Sequence, residues 1–226
     1  MTVGITFLCS GGGGNLRLVQ ALIERGALPG CSLSGVIADR ECPALDWARS
    51  RGIPARLVSY TRVRPGELRE VLAELSPGLI VTTIHKILDD ELVTRYEGRL
   101  VNLHYSLLPA FAGAIGMEPV RLALAKGCRL VGATAHRVTA ELDAGPILAQ
   151  ACISAGPDAP EAALHDAVFR CGAVALSAAI DGLLTPGPRR AGGVVHVGRV
   201  DVFAGPIPRA EVCDLFREPA FWEGQR

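Results

Sequence analysis

Two polar side chains, Asn102 and His104, stand two positions apart at the end of an apolar run in the stretch VNLHYSLLPAFAG. On an extended chain alternate side chains point to the same side, so the amide and the imidazole face one way. A carboxamide can donate to a developing oxyanion without titrating, and an imidazole can move protons near neutral pH. A carboxylate would complete such a site, and Asp143 supplies one in TAELDAGPILAQ, where Gly145 and Pro146 favour a bend.

Each of these residues also has an ordinary structural explanation. Asparagine and aspartate cap turns, and a buried histidine with hydrogen-bond partners is common in protein cores. His136, in GATAHRV, fits either a core histidine or a second imidazole of the site. The residue types alone leave both interpretations open.

The residues before His104 alternate short β-rich runs with helical patterns. VGITFLC (3–9) leads through glycines into NLRLVQALIERG, whose apolar residues mark one helix face. The alternation continues through LSGVIAD, CPALDWARSRG, ARLV, GELREVLAEL, GLIVTT, DDELVTRY and GRLVNLH. This order predicts βαβ units and an α/β fold, with a Rossmann-like, mostly parallel twisted sheet flanked by helices. Ligands of such sheets collect at the carboxyl ends of strands, and His104 lies at one of these ends.

The second half of the chain predicts further elements and a boundary. A helix (PVRLALAKG) precedes two strand candidates, RLVGATAHRV and PILAQACIS, and an alanine-rich helix from about 161 to 184. The stretch TPGPRRAGG indicates a boundary, and VVHVGRVDVF beyond it predicts a small β-hairpin. We therefore expect a domain carrying the candidate site over 1–185 and a C-terminal extension, hairpin and tail, over 186–226.

Composition excludes several classes of protein. With 226 residues and 49% hydrophobic content the chain can bury a packed core. Lys plus Arg equals Asp plus Glu at 23 each, so there is no basic excess to hold nucleic acid. The sequence has no uninterrupted apolar run of about 18 residues, its first residues lack the basic region typical of a signal peptide, and the seven cysteines lack a C-x-x-C pair. We expect a cytoplasmic protein with no nucleic-acid or membrane partner.

The glycine-rich stretch CSGGGGNL joins the first predicted strand to the first helix. Unpaired backbone N–H groups and the helix dipole favour an anion at such a junction. The dinucleotide fingerprint G-x-G-x-x-G is not met, because Leu16 stands at the third glycine position, and the Gly-Lys-Ser/Thr of a Walker loop is absent. A tight turn that lets the strand and the helix pack is the alternative interpretation.

The motif pair NLHYSLLPAFAG and GATAHRVTAELDAGPILAQ resembles the folate-dependent formyltransferase family, which includes glycinamide ribonucleotide transformylase and formyltetrahydrofolate hydrolase. The resemblance runs from residue 1 to about 185. It implies 10-formyltetrahydrofolate as the formyl donor, no metal, and Asn102, His104 and Asp143 as catalytic residues. It also implies a set of folate-binding residues: His85, Lys86, Ile87 and Leu88, then Val138, Thr139, Ala140 and Glu141, and Arg64 for the folate tail.

The acceptor side departs from the transformylase pattern at two positions. The resemblance implies that the acceptor is bound by Gly13, Gly14, Asn15 and His136. Gly14, however, stands where the transformylase has a hydroxyl residue that helps to hold a phosphate, and Gly172 aligns with its acceptor-binding glutamate. We therefore expect formyl transfer to a small-molecule amine other than, or bound more loosely than, glycinamide ribonucleotide.

Two alternative functions remain open from the sequence. GCRLVGATAHRV is similar to the corresponding stretch of the hydrolases, which would release formate from the same folate. A non-catalytic folate- or nucleotide-binding module, from a different class, would not need the amide, the imidazole and the carboxylate together. The expected partners are folate and the amine, with a homodimer as one option.

Overall fold

Two units make up the part of the chain that the structure, a computed structural model, describes: residues 2–156, 160–184 and 191–223. The first unit contains the described residues up to Asn102 together with Arg137–Glu141. The second contains Leu103–His136 and the described residues from Leu142 onward.

A parallel sheet forms the centre of the first unit. Its strand order is β3-β2-β1-β4-β5, and each neighbouring pair is parallel. The strands are β1 (Val3–Cys9), β2 (Cys31–Ala38), β3 (Ala55–Leu57), β4 (Leu79–Thr83) and β5 (Leu100–His104), whose last two residues belong to the second unit. The helices are α1 (Gly14–Glu24), α2 (Pro43–Ser50), α3 (Gly66–Leu75) and α4 (Asp90–Arg95). The alternation confirms the predicted α/β, Rossmann-like fold.

Burial explains why these runs fold as strands and helices. Phe7 and Leu8 of β1 point to opposite faces of the sheet and are both fully buried, as in a sheet covered on both sides. On α1, Leu16, Val19 and Leu22 recur every three residues and form the buried face. The hydrophobic period of each run therefore decides which side packs inward.

The strands of the second unit are antiparallel. They are β6 (Leu130–Arg137), β7 (Ile147–Ser154), β8 (Gly193–Val197) and β9 (Val200–Gly205), in the order β6-β7-β9-β8. The helices are α5 (Glu118–Ala125), α6 (Glu161–Leu184), α7 (Ala210–Arg217) and a 3₁₀ turn, Pro219–Trp222. The predicted C-terminal hairpin is confirmed as β8 and β9, and β9 pairs with β7. The predicted boundary at 185–190 lies outside the described residues, so the domain division stays a prediction.

Helix α6 is the single described helix that is long and apolar enough to cross a membrane. However, 72% of its apolar window is buried inside the fold, where it packs against β7 and β9. Such burial is typical of a core helix. Length and composition are therefore weak evidence for a membrane span.

The C-terminal aromatic residues pack against one another. The rings of Phe216 and Trp222 lie 5.2 Å apart between centroids, and Trp222 Nε1 donates to the Phe216 carbonyl oxygen at 3.0 Å. Phe221 completes the cluster and is also buried. The sequence pattern did not predict α7, the helix that carries Phe216. These aromatics cover the edge of the chain's own core.

Candidate active site

Asn102 lies on β5 directly beside Thr82 of β4. Its carboxamide Nδ2 donates to the Thr82 carbonyl oxygen at 3.2 Å. An amide nitrogen carries two N–H groups, so this bond fixes the carboxamide plane and leaves a second N–H to be offered to an acceptor. The side chain is only partly buried, so a small molecule can approach it.

His104 ends β5 and is buried. Its Nδ1 lies 3.5 Å from Oδ2 of Asp143, and its Nε2 lies 3.1 Å from the carbonyl oxygen of Phe111. A carbonyl oxygen only accepts hydrogen bonds, so Nε2 carries a proton in this arrangement. The structure thus brings the predicted imidazole and carboxylate together, with both ring nitrogens facing oxygen atoms.

Residues 111–113 orient both members of this pair. The Phe111 carbonyl accepts from His104, and the Gly113 N–H donates to Asp143 Oδ2 at 2.8 Å. Phe111 and Asp143 have left-handed φ angles of 61° and 53°, which are rare for residues with a side chain and concentrate at functional sites. Reasoning from side-chain types missed this backbone contribution. The glycine at 113, with a φ of 82°, is the one sequence signal of it.

His136 places a second imidazole beside Asp143. Its Nε2 lies 3.6 Å from Asp143 Oδ1, and the side chain is buried. Burial acts to raise the pKa of Asp143, but His136, the Gly113 N–H and His104 together lower it below the usual value. Asp143 is therefore ionised at neutral pH and faces two histidines. His136 is thus a buried histidine that also lies beside the candidate carboxylate, and its role at the site stays a prediction.

A buried hydrogen-bond network holds the turn that follows His104. Thr134, on β6, donates to the Ser106 carbonyl oxygen at 2.7 Å and accepts from the Leu108 N–H at 3.0 Å. Gln150, its cross-strand partner on β7, donates to Thr134 Oγ1 at 3.0 Å and to the Leu108 carbonyl oxygen at 3.1 Å. Neither residue is predicted from the sequence motifs, although a threonine and a glutamine inside otherwise apolar strands are a usable signal.

The predicted folate-binding residues 85–88 follow β4 in the first unit. They lie in a run without helix or strand that ends where α4 begins. The side chains of His85, Lys86 and Ile87 are exposed, and Ile87 is 49% exposed, which is unusual for an isoleucine. Leu88 is buried in a hydrophobic cluster of the same unit. Leu88 therefore attaches the run to the core, and the other three side chains form an accessible surface.

The other predicted folate-binding residues also belong to the first unit. Val138 packs against the cluster that contains Leu88, and Thr139 Oγ1 donates to the Glu141 carbonyl oxygen at 3.1 Å. Ala140 and Glu141 are exposed. Arg64 is exposed in the loop between β3 and α3, and its folate role stays a prediction.

The glycine loop combines a packing turn with open backbone. Gly13 has a φ of 74°, and a Cβ there would lie 2.9 Å from the Ala44 Cβ, so glycine is required where α1 passes α2. A Cβ added at Gly11 or Gly12 would have no neighbouring atom within 4 Å. Gly14 is the first residue of α1, and Asn15 is buried. The structure supports the packing interpretation at Gly13 and leaves the anion interpretation open for the residues around it.

The described site residues offer an amide donor, a protonated imidazole nitrogen and a carboxylate. This set suits attack on a carbonyl-type carbon, where an oxyanion forms and protons must move. Within 2–156, 160–184 and 191–223, no group of three or more His, Cys, Asp or Glu residues could hold a metal ion.

A family model described as Formyl transferase matches residues 3–180. The chain belongs to this family. Formyltetrahydrofolate deformylase of Haemophilus influenzae is 38% identical to it over 142 residues, 52% of this chain and 50% of that protein. Phosphoribosylglycinamide formyltransferase of Mycobacterium tuberculosis (strain H37Rv) is 33% identical over 202 residues, 86% of this chain and 91% of that protein.

Solved structures of the formyl transferase family share the fold. Glycinamide ribonucleotide transformylase 1 from Symbiobacterium toebii has a TM-score of 0.74 and 27% sequence identity, over 92% of this chain and 95% of that one. The chain spans about half the length of several curated relatives that it matches. The names of the relatives differ in the fate of the formyl group, so family membership alone does not identify the acceptor.

Proposed function

We propose that this protein transfers a formyl group from 10-formyltetrahydrofolate to a small-molecule amine. The observation that carries the proposal is the contact between His104, the buried last residue of β5, and the partly buried Asp143, whose Nδ1 and Oδ2 atoms lie 3.5 Å apart; β5 also carries Asn102. Membership of the formyl transferase family supports the class of reaction.

Asn102 stabilises the oxyanion. The amine nitrogen attacks the formyl carbon, a C–N bond forms, and the formyl oxygen gains negative charge. One N–H of Asn102 donates to this oxygen, while the other stays on the Thr82 carbonyl and keeps the amide from rotating. Loss of a donor of this kind costs about 10² to 10³ in kcat.

His104 moves the protons. The attacking amine loses one proton, and the folate nitrogen takes one up as its bond to the formyl carbon breaks. His104 serves both transfers: Nδ1 takes the proton of the amine, and Asp143, which faces Nδ1, stabilises the imidazolium until Nε2 releases its own proton. The proton on Nε2, now donated to the Phe111 carbonyl oxygen 3.1 Å away, is the one that the folate nitrogen receives.

We assign the folate pterin to the exposed surface of 85–88 and to the run Val138–Glu141. Both runs adjoin the hydrophobic cluster of the first unit, through Leu88 and Val138. The exposed Ile87 side chain offers an apolar surface that a flat pterin ring would cover. Arg64, on the loop after β3, is the proposed partner of the folate carboxylates.

We propose that the acceptor is an amine other than glycinamide ribonucleotide, or one bound more loosely than it. Gly14 supplies no hydroxyl at the start of α1 for a phosphate. In α6, a Cβ at Gly172 would lie 2.7 Å from Cε1 of Tyr105, so the tyrosine ring fills the space that a larger side chain at 172 would need. Both features support an acceptor with neither a phosphate nor a partner at position 172, and Asn15 and His136 remain the proposed contacts.

Hydrolysis of the same folate is the second candidate function. It is favoured by the similarity to a protein named formyltetrahydrofolate deformylase, at 38% identity. In that case water would take the place of the amine, and formate would leave. The same three side chains would stabilise the oxyanion and move the protons.

A labelled formyl group tests these functions in one experiment. Purified protein is mixed with 10-[¹³C]formyltetrahydrofolate, first alone and then with glycinamide ribonucleotide or a panel of small amines, and the products are followed by NMR. A ¹³C-formylamide that forms only with an amine supports transfer. Rapid [¹³C]formate without any amine supports the hydrolase instead, and no turnover with or without amines contradicts both and leaves a binding module.

A further inference from the structure

The run 84–89 is held by side chains at both of its ends. At the first end, the His85 N–H donates to Ser10 Oγ at 2.8 Å. At the other, the Asp89 N–H donates to the phenolic oxygen of Tyr60 at 2.8 Å, and Tyr60 in turn donates to the Ile87 carbonyl oxygen at 3.1 Å. A run without helix or strand needs such partners, because buried backbone groups cost free energy when they are left unpaired.

Tyr60 is built into the core of the first unit. It is 3% exposed, and it shares a hydrophobic cluster with Ile84 and Leu88. Burial raises the pKa of Tyr60 to about 12, so the phenol is neutral and keeps its proton for the Ile87 carbonyl oxygen. A single hydroxyl thus ties two backbone groups of the run to a ring that cannot easily move.

Charged residues stabilise both ends of the run. Ser10 Oγ donates to Asp39 Oδ1 at 2.8 Å, so its orientation is set while it accepts from His85. Asp89 is buried, caps α4 through the Leu92 N–H at 3.2 Å, and pairs with Arg69. The run is therefore clamped between the end of β1 and the beginning of α4.

We propose that Tyr60 and Ser10 are positioning residues that hold the backbone of 85–88 in the shape that binds folate. The inference rests on the proposed function, because it assumes that this run is a folate-binding surface. Neither hydroxyl needs to touch the folate. Each acts through the backbone groups that it fixes, and Tyr60 is the stronger of the two, because its hydroxyl ties two groups of the run.

The test uses Tyr60→Phe, which removes the hydroxyl and keeps the ring in the core. We expect the KM for 10-formyltetrahydrofolate to rise about tenfold with kcat changed less than about twofold, the signature of lost uniform binding. The Kd for tetrahydrofolate, measured by calorimetry, should rise by a similar factor. Ser10→Ala should act in the same direction, about threefold to tenfold.

Tyr96→Phe is the matched control. Tyr96 is also buried in the same cluster, and its ring lies 4.9 Å from the Arg99 guanidinium. It should show unchanged KM and Kd. A purely structural role for Tyr60 would lower the melting temperature of Tyr60→Phe and leave its KM and Kd equal to those of Tyr96→Phe.

Amide hydrogen exchange gives a readout that does not depend on turnover. Tyr60→Phe should speed exchange at the Asp89 N–H and spare the His85 N–H, and Ser10→Ala should do the reverse. If the wild-type protein turns over the folate but Tyr60→Phe leaves KM and Kd unchanged, the inference is wrong and the proposed function stands. If the wild-type protein neither binds nor consumes the folate, both fall.

Discussion

Replacement of Asp143 by asparagine isolates the charge that faces His104. Asparagine tolerates the φ of 53° at this position, and its Oδ1 can still accept the Gly113 N–H, so the change removes a negative charge and little else. At 3.5 Å, with an effective dielectric constant of about 20, a carboxylate and an imidazolium attract by about 5 kcal/mol. Breaking a buried pair costs about 3 to 5 kcal/mol. If this loss falls on the barrier, kcat drops by about 10² to 10⁴.

The assay is the initial rate of formyl release from the labelled donor, with circular dichroism to confirm folding. KM for the folate should stay within about twofold, because the proposed pterin contacts are elsewhere. Asp201→Asn is the matched control, since Asp201 also faces an imidazole, Nδ1 of His196 at 2.6 Å, but on the exposed hairpin. A folded Asp143→Asn protein that kept more than a tenth of the wild-type kcat would refute the proton-transfer role.

The oxyanion donor, the charge of Asp143 and the packing at Gly172 can each be tested by substitution. Asn102→Ala should lower kcat about 10² to 10³ with a folded protein, measured by the same initial rates, because the oxyanion loses its donor. The native pKa of Asp143 lies below its unfolded value, so its ionised form stabilises the fold above about pH 4, and this contribution is lost as the pH falls through the native pKa. The difference in the free energy of unfolding between wild type and Asp143→Asn, measured in urea from about pH 6 to 3, should therefore shrink as the pH falls. Gly172→Ala should destabilise the protein by about 1 to 3 kcal/mol in urea unfolding, because its Cβ meets the Tyr105 ring, and the same substitution should cost less in a Tyr105→Ala background.

The sequence predicts much of the fold because each run repeats one hydrophobic period. GELREVLAEL folds as α3, Gly66–Leu75, and the alanine-rich run folds as α6, Glu161–Leu184. Periodicity reports which face of an element is buried, and it does not report the element beside it. The pairing of β9 with β7, which α6 separates in the sequence, therefore could not be predicted from periodicity. Helix α7 is eight residues long, and its register depends on the Phe216 cluster that it packs into.

Some residues of the candidate site could likewise be predicted from the sequence, and others could not. Asn102, His104 and Asp143 are recognisable because their chemistry resides in the side chain. Thr134 and Gln150 are less visible, since a buried threonine or glutamine on a strand is informative only once its partner across the sheet is known. Their hydrogen bonds to the Leu108 backbone hold the turn after His104, and neither residue type predicts this role.

The groups that aim the His104 and Asp143 pair are backbone groups, and these are the hardest to read from a sequence. A carbonyl at Phe111 and an N–H at Gly113 exist whatever side chains those positions carry. What the sequence can alter is the backbone angle, and two residues with side chains hold left-handed φ angles there, Phe111 at 61° and Asp143 at 53°. Conformations of this kind cost about 1 to 3 kcal/mol each and persist only where the surroundings enforce them. Phe111 accepts a hydrogen bond from His104, and Asp143 is itself a member of the pair. The backbone strain therefore lies at the residues that orient the imidazole and the carboxylate. Orientation at this site therefore depends on backbone angles as much as on the identity of the reacting side chains.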